Sequence, residues 1–395
     1  MDATRIAVII ETDIFDRKGL FNAVHGRIRA LEATGRFKVD PFCIQCRETA
    51  LSRKVKKLPR RPRVDELTVD GKTYRLLWYR FSLLDWFFVE KLHRRPLFFP
   101  RFASKAAACL EGYPLVSAHS FTGALIASEA SHRSGSPFFV TWHGSDVNVY
   151  PWRNRLLRQE TERLTSEVAA NFYVSRALME KSAPFPGRKE VLRNGIGPEF
   201  TRFGDDRRST LRQRYGLSAR TRVVAYAGHF FHIKNTLSLP GIFREVRSLV
   251  KEPLVFWLIG DGKEFRQVRD LMVGGTDPLN CVFWGNRDAA EMPDLLNCID
   301  VLVLPSFNEG LPLITMEALS CGCQAVGSRV GGIPEILGEE NTVPLGPGFA
   351  RSLAALVAER LKAPSDQLAG RDFGWEDTAA KECDIYEKWL NSEHR

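Results

Sequence analysis

With 395 residues the chain is longer than one hydrophobic core usually serves, so two domains of ordinary size are expected. Hydrophobic residues make up 44% and charged residues 26%, without any low-complexity tract, which excludes a disordered or fibrous protein. Lys and Arg outnumber Asp and Glu by 56 to 47, and the net charge of +9 favours anionic partners: nucleotides, phosphates, acidic lipid headgroups or nucleic acid.

Residues 6–10 form an apolar run too short for a signal-peptide core or a bilayer span, and read as a buried strand. Residues 21–31 follow with apolar positions at helical spacing. The strand signal returns at 37–43, 115–118, 138–142 and 172–174 with helical candidates between several of them, as a parallel sheet wrapped by helices requires. The eight cysteines lack the spacing of a zinc site or a disulfide scaffold, so reduced thiols and a cytoplasmic location are expected. Cys43 and Cys46 have C-x-x-C spacing but no second pair, and lie in a strand-like run.

Two stretches break the regularity. Residues 47–63 hold eight Lys/Arg, one acid and prolines at 59 and 62, the composition of a solvated loop. Residues 81–102 combine seven aromatics with Lys91, Arg94, Arg95 and Arg101, which suits either a membrane surface or a core helix with snorkelling charges. After a Gly/Pro cluster at 195–198, strand signals restart at 223–227, 254–259, 281–284, 301–304 and 324–327, so a second doubly wound nucleotide-binding sheet is expected.

The most informative segment is Leu304-Pro-Ser-Phe-Asn-Glu-Gly-Leu-Pro-Leu-Ile-Thr-Met-Glu-Ala-Leu-Ser-Cys-Gly322. A buried strand ends at Leu304, a polar turn carries Asn308, Glu309 and Gly310, and Pro312 can open a helix. Free N–H groups at that helix start, with the dipole behind them, could hold a phosphate, and Gly310 lets backbone approach closely. Glu317 would project from the first turns, where a carboxylate can accept hydrogen bonds from sugar hydroxyls.

This Glu, seven residues, Glu arrangement within Pro-Ser-x-x-Glu-Gly-Leu-Pro resembles the signature of glycosyltransferase family 4. The resemblance implies an α/β, GT-B fold: two Rossmann-like doubly wound domains facing a cleft, over 1–197 and 198–372, with a C-terminal helix (373–395, around Trp375 and Trp389) packing back on the first. It places Glu309 against the donor sugar, Gly310, Leu311 and Pro312 around the diphosphate, although Pro312 lacks an N–H, and Glu317 on the ribose, with Asn308 among the donor-binding residues. Ala227-Gly228-His229-Phe-Phe-His-Ile-Lys234 resembles the family's Gly-Arg…Lys segment, whose cations face the diphosphate; Lys234 matches, and His229 stands where the family has Arg. His143-Gly-Ser-Asp146 resembles the His-Gly-x-Asp segment that meets the donor sugar. Gly19 is the single glycine in the place of the family's phosphate and acceptor loop. Asn194-Gly195 and Val330-Gly-Gly-Ile-Pro-Glu335 resemble further family segments and read most simply as turns.

The activity so implied is retaining transfer of a hexosyl-type sugar from a nucleotide diphosphate donor of UDP or GDP type to a hydroxyl of a glycan or lipid-linked glycan. No Asp-x-Asp pair occurs, so no metal and no cofactor are expected. Glu309, His143 and Lys234 would carry the chemistry. An epimerase or phosphorylase on the same fold, or an anion-binding protein, are the competing readings. No zinc-finger or RNP-like motif supports nucleic-acid binding. An anionic membrane surface at the inner face of the cell membrane is a further expected partner of residues 47–102.

Overall fold

The apolar runs of the first half become strands of one eight-stranded sheet. In the computed structural model, which describes residues 3–17, 19–50, 54, 61–92, 94–96, 99–274, 276–362 and 373–392, its strands are β1 (Thr4–Glu11), β2 (Phe37–Glu48), β3 (Glu66–Val69), β4 (Lys72–Phe81), β5 (Val116–His119), β6 (Phe138–Trp142), β7 (Ala170–Tyr173) and β8 (Lys189–Val191). They lie in the order β3-β4-β2-β1-β5-β6-β7-β8, and only the β3/β4 pair is antiparallel. From β1 the chain winds outward through β2 and β4, then returns to β5 and winds the other way. Carboxyl ends of β1 and β5 are thus the switch point, where open parallel sheets bind ligands.

The β3/β4 hairpin was not evident from apolar periodicity, because Lys72–Phe81 mixes charged and aromatic residues without clean alternation. Its turn, Asp70-Gly71, has φ of 46° and 78°, the paired positive values of a two-residue type I′ turn, so the dipeptide was the missed signal. Arg47 and Glu48, expected in a loop, instead extend β2 through pairing with Arg80 and Phe81 of β4. Most of the remaining basic stretch, 51–53 and 55–60, lies outside the described residues. In the aromatic stretch that follows, helices Leu83–Glu90 and Phe99–Ala108 form, with 93, 97 and 98 likewise outside them.

The second half forms a six-stranded, wholly parallel sheet of β9 (Arg222–Ala227), β10 (Leu254–Ile259), β11 (Cys281–Gly285), β12 (Val301–Leu304), β13 (Gln324–Ser328) and β14 (Thr342–Val343). The order β11-β10-β9-β12-β13-β14 is that of a dinucleotide-binding sheet, 3-2-1-4-5-6, with its switch point between β9 and β12. Two compact units result: Met1–Gly195 with Trp375–Arg395, and Ile196–Gly374.

Each unit has its own core. In the second, Val224, Phe256, Val301 and Val326 of the strands pack with Leu239, Phe243, Leu353 and Val357 of the helices Leu239–Leu249 and Phe349–Arg360. In the first, Ile6, Val8, Ile10 and Phe139 meet Phe21, Val24 and Ile28 of the helix Gly19–Ala33 and Ala379, Cys383 and Tyr386 of the helix Glu376–Ser392. That last helix is also fixed by a fully buried ion pair, Arg27 Nε to Glu382 Oε2 at 2.6 Å, and by Arg36 Nε to Glu387 at 2.7 Å. Trp375 lies so close to Gly26 that a Cβ there would stand 2.8 Å from the indole nitrogen. Among the described residues no helix is long and apolar enough to cross a membrane.

Candidate functional site

The two loops at the switch point of the second sheet are bound to each other. β9 ends at Ala227 and leads into Gly228, which has φ of 152° and so favours glycine, while Tyr226 donates its hydroxyl to the His229 carbonyl at 2.7 Å. Across from it, the loop after β12 receives Asn235 Nδ2 on the Pro305 carbonyl at 3.0 Å and donates the Phe307 amide to the Ile233 carbonyl at 2.9 Å. This places Lys234 beside Glu309. The Lys234 ammonium donates to both carboxylate oxygens, at 2.7 and 2.8 Å, and Ser306 Oγ adds a third bond at 2.7 Å. Glu309 is buried, so such partners are what make its charge tolerable there.

A second support comes from behind. The amide of Gly332 donates to the Gly310 carbonyl at 3.0 Å, and Gly331 has φ of 52° with the Glu309 carbonyl only 1.9 Å from where a Cβ would stand. The Val330–Glu335 segment, expected to be a plain turn, is therefore the wedge that holds Glu309. Ser306 is tied in turn through Ser328 Oγ, 2.5 Å from its carbonyl. Neither Ser306, Ser328 nor Gly331 was singled out from sequence, because their part depends on β12 and β13 being neighbours.

The helix Leu313–Ser320 starts directly after Pro312, and no side chain caps it. Thr315, in its first turn, is buried with its hydroxyl unpartnered among the described residues. Gly310, Leu311 and Pro312 form the approach to that start. Glu317 follows, half-buried; desolvation, with the Glu199 carboxylate adding to it, pushes its carboxyl up to about 7. The His229 ring packs edge-on against Phe231, 5.6 Å between centroids, and Asn308 lies beside Glu309 in the same loop.

In the first unit, His143 follows β6. Asp146 anchors its backbone, its carboxylate accepting the amides of His143 at 3.1 Å and Gly144 at 2.8 Å. Behind it is a buried series that sequence reading missed. His143 Nε2 is 3.1 Å from His119 Nδ1, His119 Nε2 is 3.4 Å from Ser117 Oγ, Ser117 Oγ is 2.9 Å from Tyr386 Oη, and Tyr386 Oη is 2.5 Å from Glu382. Desolvation, then the charge of Arg27, lowers His143 to about 3, so the ring is neutral. Because Glu382 can only accept, Tyr386 donates to it and Ser117 donates to Tyr386; His119 then donates from Nε2 and accepts at Nδ1, and His143 carries its proton on Nε2. Nδ1 of His143 is left as an acceptor. Gly19 opens the helix Gly19–Ala33, and a Cβ added there would meet nothing within 4 Å, so the position makes no steric demand for glycine.

Two wound α/β sheets of this kind are shared with solved structures of the GT-B class. The sucrose-phosphate synthase of Thermosynechococcus elongatus superposes with a TM-score of 0.69 at 18% identity, covering 98% of this chain and 100% of that one. Anabaena HepE in complex with UDP-glucose gives 0.67 at 16%, covering 98% and 97%. The fold is GT-B. Residues 221–362 match the family model described as glycosyl transferases group 1. It is 28% identical over 236 residues to the Bacillus subtilis glycosyltransferase TuaC, named for teichuronic acid biosynthesis, covering 58% of this chain and 57% of that protein. It is also 28% identical over 206 residues to the N-acetyl-alpha-D-glucosaminyl L-malate synthase of Bacillus anthracis, covering 51% and 52%. The matches thus span little more than half the length of these curated relatives.

Proposed function

We propose that the chain is a retaining glycosyltransferase that moves a hexosyl-type sugar from a nucleotide diphosphate donor to a hydroxyl of a glycan or lipid-linked glycan, without a metal. The observation that carries this reading is the Lys234–Glu309 pair at the switch point of a 3-2-1-4-5-6 sheet, beside an uncapped helix start. An ammonium has three donors; two are engaged by Glu309, and the third is available to a phosphate oxygen. As the glycosidic bond breaks, negative charge grows on the departing diphosphate, and Lys234 with the amides around 310–314 stabilises it most when that charge is largest. Glu309 orients the sugar and Glu317 takes the ribose hydroxyls, while in the first unit His143 offers Nδ1 as an acceptor for a hydroxyl. The acceptor attacks on the face the diphosphate leaves, and the departing phosphate oxygen takes its proton, so the anomeric configuration is kept.

A surface-glycan product is supported by the naming of the Bacillus relative, and a nucleotide donor by the UDP-glucose in the Anabaena complex. A cytoplasmic protein lying on the inner face of the membrane fits these substrates. Saturation-transfer binding with UDP, GDP and ADP sugars is the test, repeated on Lys234→Ala and Glu317→Ala. One preferred nucleotide weakened by both changes is expected, and unaltered affinity would remove the site. Donor consumed without any acceptor would instead favour an epimerase or phosphorylase.

A further inference from the structure

The polar series behind His143 crosses the apolar core of the first unit from a strand to the last helix. Ser117 and His119 lie two residues apart on β5 and so point to the same face of the sheet, while Glu382 and Tyr386 lie four apart on the helix Glu376–Ser392 and so share one side of it. Each of these side chains is at most 1% exposed, so bulk water has no way in between them. β6 is the neighbour of β5, with Ala118 opposite Val140, and that register brings His143, just past the end of β6, to 3.1 Å from His119. At the far end Arg27 Nε occupies Oε2 of Glu382, which leaves Oε1 for Tyr386 at 2.5 Å.

Such a series can run in two directions. In one, Tyr386 donates to Glu382 and every proton behind it points the same way, ending with His143 protonated on Nε2. In the other, Tyr386 donates to Ser117, Ser117 to His119 Nε2 and His119 Nδ1 to His143, which then carries its proton on Nδ1. The second direction leaves the Tyr386 oxygen 2.5 Å from a carboxylate oxygen with no hydrogen between them, and Glu382 excludes it because a carboxylate only accepts. A Gln in its place would do the opposite. Its carbonyl would turn to the Arg27 donor, its amide N–H to Tyr386, and every bond in the series would reverse.

We propose that Glu382 is a specificity-determining positioning residue: by fixing the direction of the series it makes His143 an acceptor at Nδ1, so that the first unit selects a substrate group that donates there, a hydroxyl, and rejects one that only accepts, such as an ether oxygen or fluorine. The direction of the series is independent of the transferase reading; that the selected hydroxyl belongs to a nucleotide sugar rests on it. Nitrogen-15 NMR of histidine-labelled protein reads the tautomers directly in the wild type, Glu382→Gln and Ser117→Ala. His143 should carry its proton on Nε2 in the wild type and on Nδ1 in Glu382→Gln, and should populate both tautomers in Ser117→Ala, where the series is cut. Ser117→Ala touches neither partner of the Arg27–Glu382 ion pair, so it answers even if Glu382→Gln fails to fold. Calorimetry with UDP-glucose, GDP-mannose and ADP-glucose, each beside its monodeoxyfluoro analogues, reads the selection. Fluorine at one ring position should weaken binding of the preferred sugar roughly tenfold in the wild type, and Glu382→Gln should remove most of that penalty while weakening the parent sugar. An Nε2 proton retained on His143 in both variants, or a fluorine penalty equal in the wild type and Glu382→Gln, would overturn the proposal. Tautomers as expected without binding of any nucleotide sugar would uphold the role of Glu382 in setting the series and sink the transferase.

Discussion

Lys234 and Glu309 hold one another in a geometry that a bound diphosphate would share, so the two should respond differently to substitution. Lys234→Ala removes a fixed cation and should lower transfer roughly 100- to 1,000-fold, read as kcat. Glu309→Gln keeps the size of the side chain and should reduce transfer while nucleotide affinity, measured by calorimetry, changes little. Glu317 adds a pH dependence. Its folded value of about 7 lies above the ordinary 4.5, so the native chain keeps a proton that the unfolded chain releases between those values. Stability from this site is therefore present below about 4.5, falls as pH climbs to about 7, and is flat above. Over the same rise the carboxyl becomes an acceptor-only carboxylate, so nucleotide affinity should increase through pH 7 in the wild type and stay level in Glu317→Gln. At His143, Tyr386→Phe breaks the hydrogen-bond series that sets the proton position, and a fall in kcat of roughly tenfold with unchanged nucleotide affinity is expected. Glu309 and Glu317 stood out in the sequence because their spacing is local to one strand-turn-helix unit, and Lys234 because it follows a buried strand of its own, β9. His119, Ser117 and Glu382 were not, since nothing in a single sequence says that β5, β6 and a helix more than 200 residues later share one interior.

The turn at Val330–Glu335 acts as an element. Gly331→Ala would drive a methyl into the Glu309 carbonyl, so donor binding should be lost while the thermal unfolding midpoint falls only modestly; a variant that binds donor normally would contradict the wedge. The helix Glu376–Ser392 is anchored differently, by a charge pair with no solvent access. Removing one partner strands the other, so Arg27→Met should cost about 3–5 kcal/mol in urea unfolding. Strands with continuous apolar runs, such as β1, β9, β10 and β12, were readable because both faces of a parallel sheet are buried. β4 was not, because Lys72, Arg75 and Arg80 interrupt its apolar residues and its pairing with β2 is non-local.

At the scale of the molecule, two alternations of strand and helix sufficed to predict two wound sheets. The positions at which the chain passes between units, Gly195/Ile196 and Gly374/Trp375, lie within two residues of the Gly/Pro cluster and of the aromatic start of the last segment. The cavity of about 440 Å³ in the first unit was not legible in the sequence, because it is lined from β1, β4 and five helical segments.

The final helix contributes Ala379, Cys383, Ile385 and Tyr386 to a core whose other buried members precede residue 195. A ribosome emits the entire second unit before that core can close. The middle portion, 196–374, has all its strands in one uninterrupted stretch and should fold when made alone, giving a cooperative melt. The portion 1–195 should remain aggregation-prone until a separate peptide spanning 373–395 is supplied, so the order of synthesis makes the second unit the first to mature and the last helix the step that finishes the other.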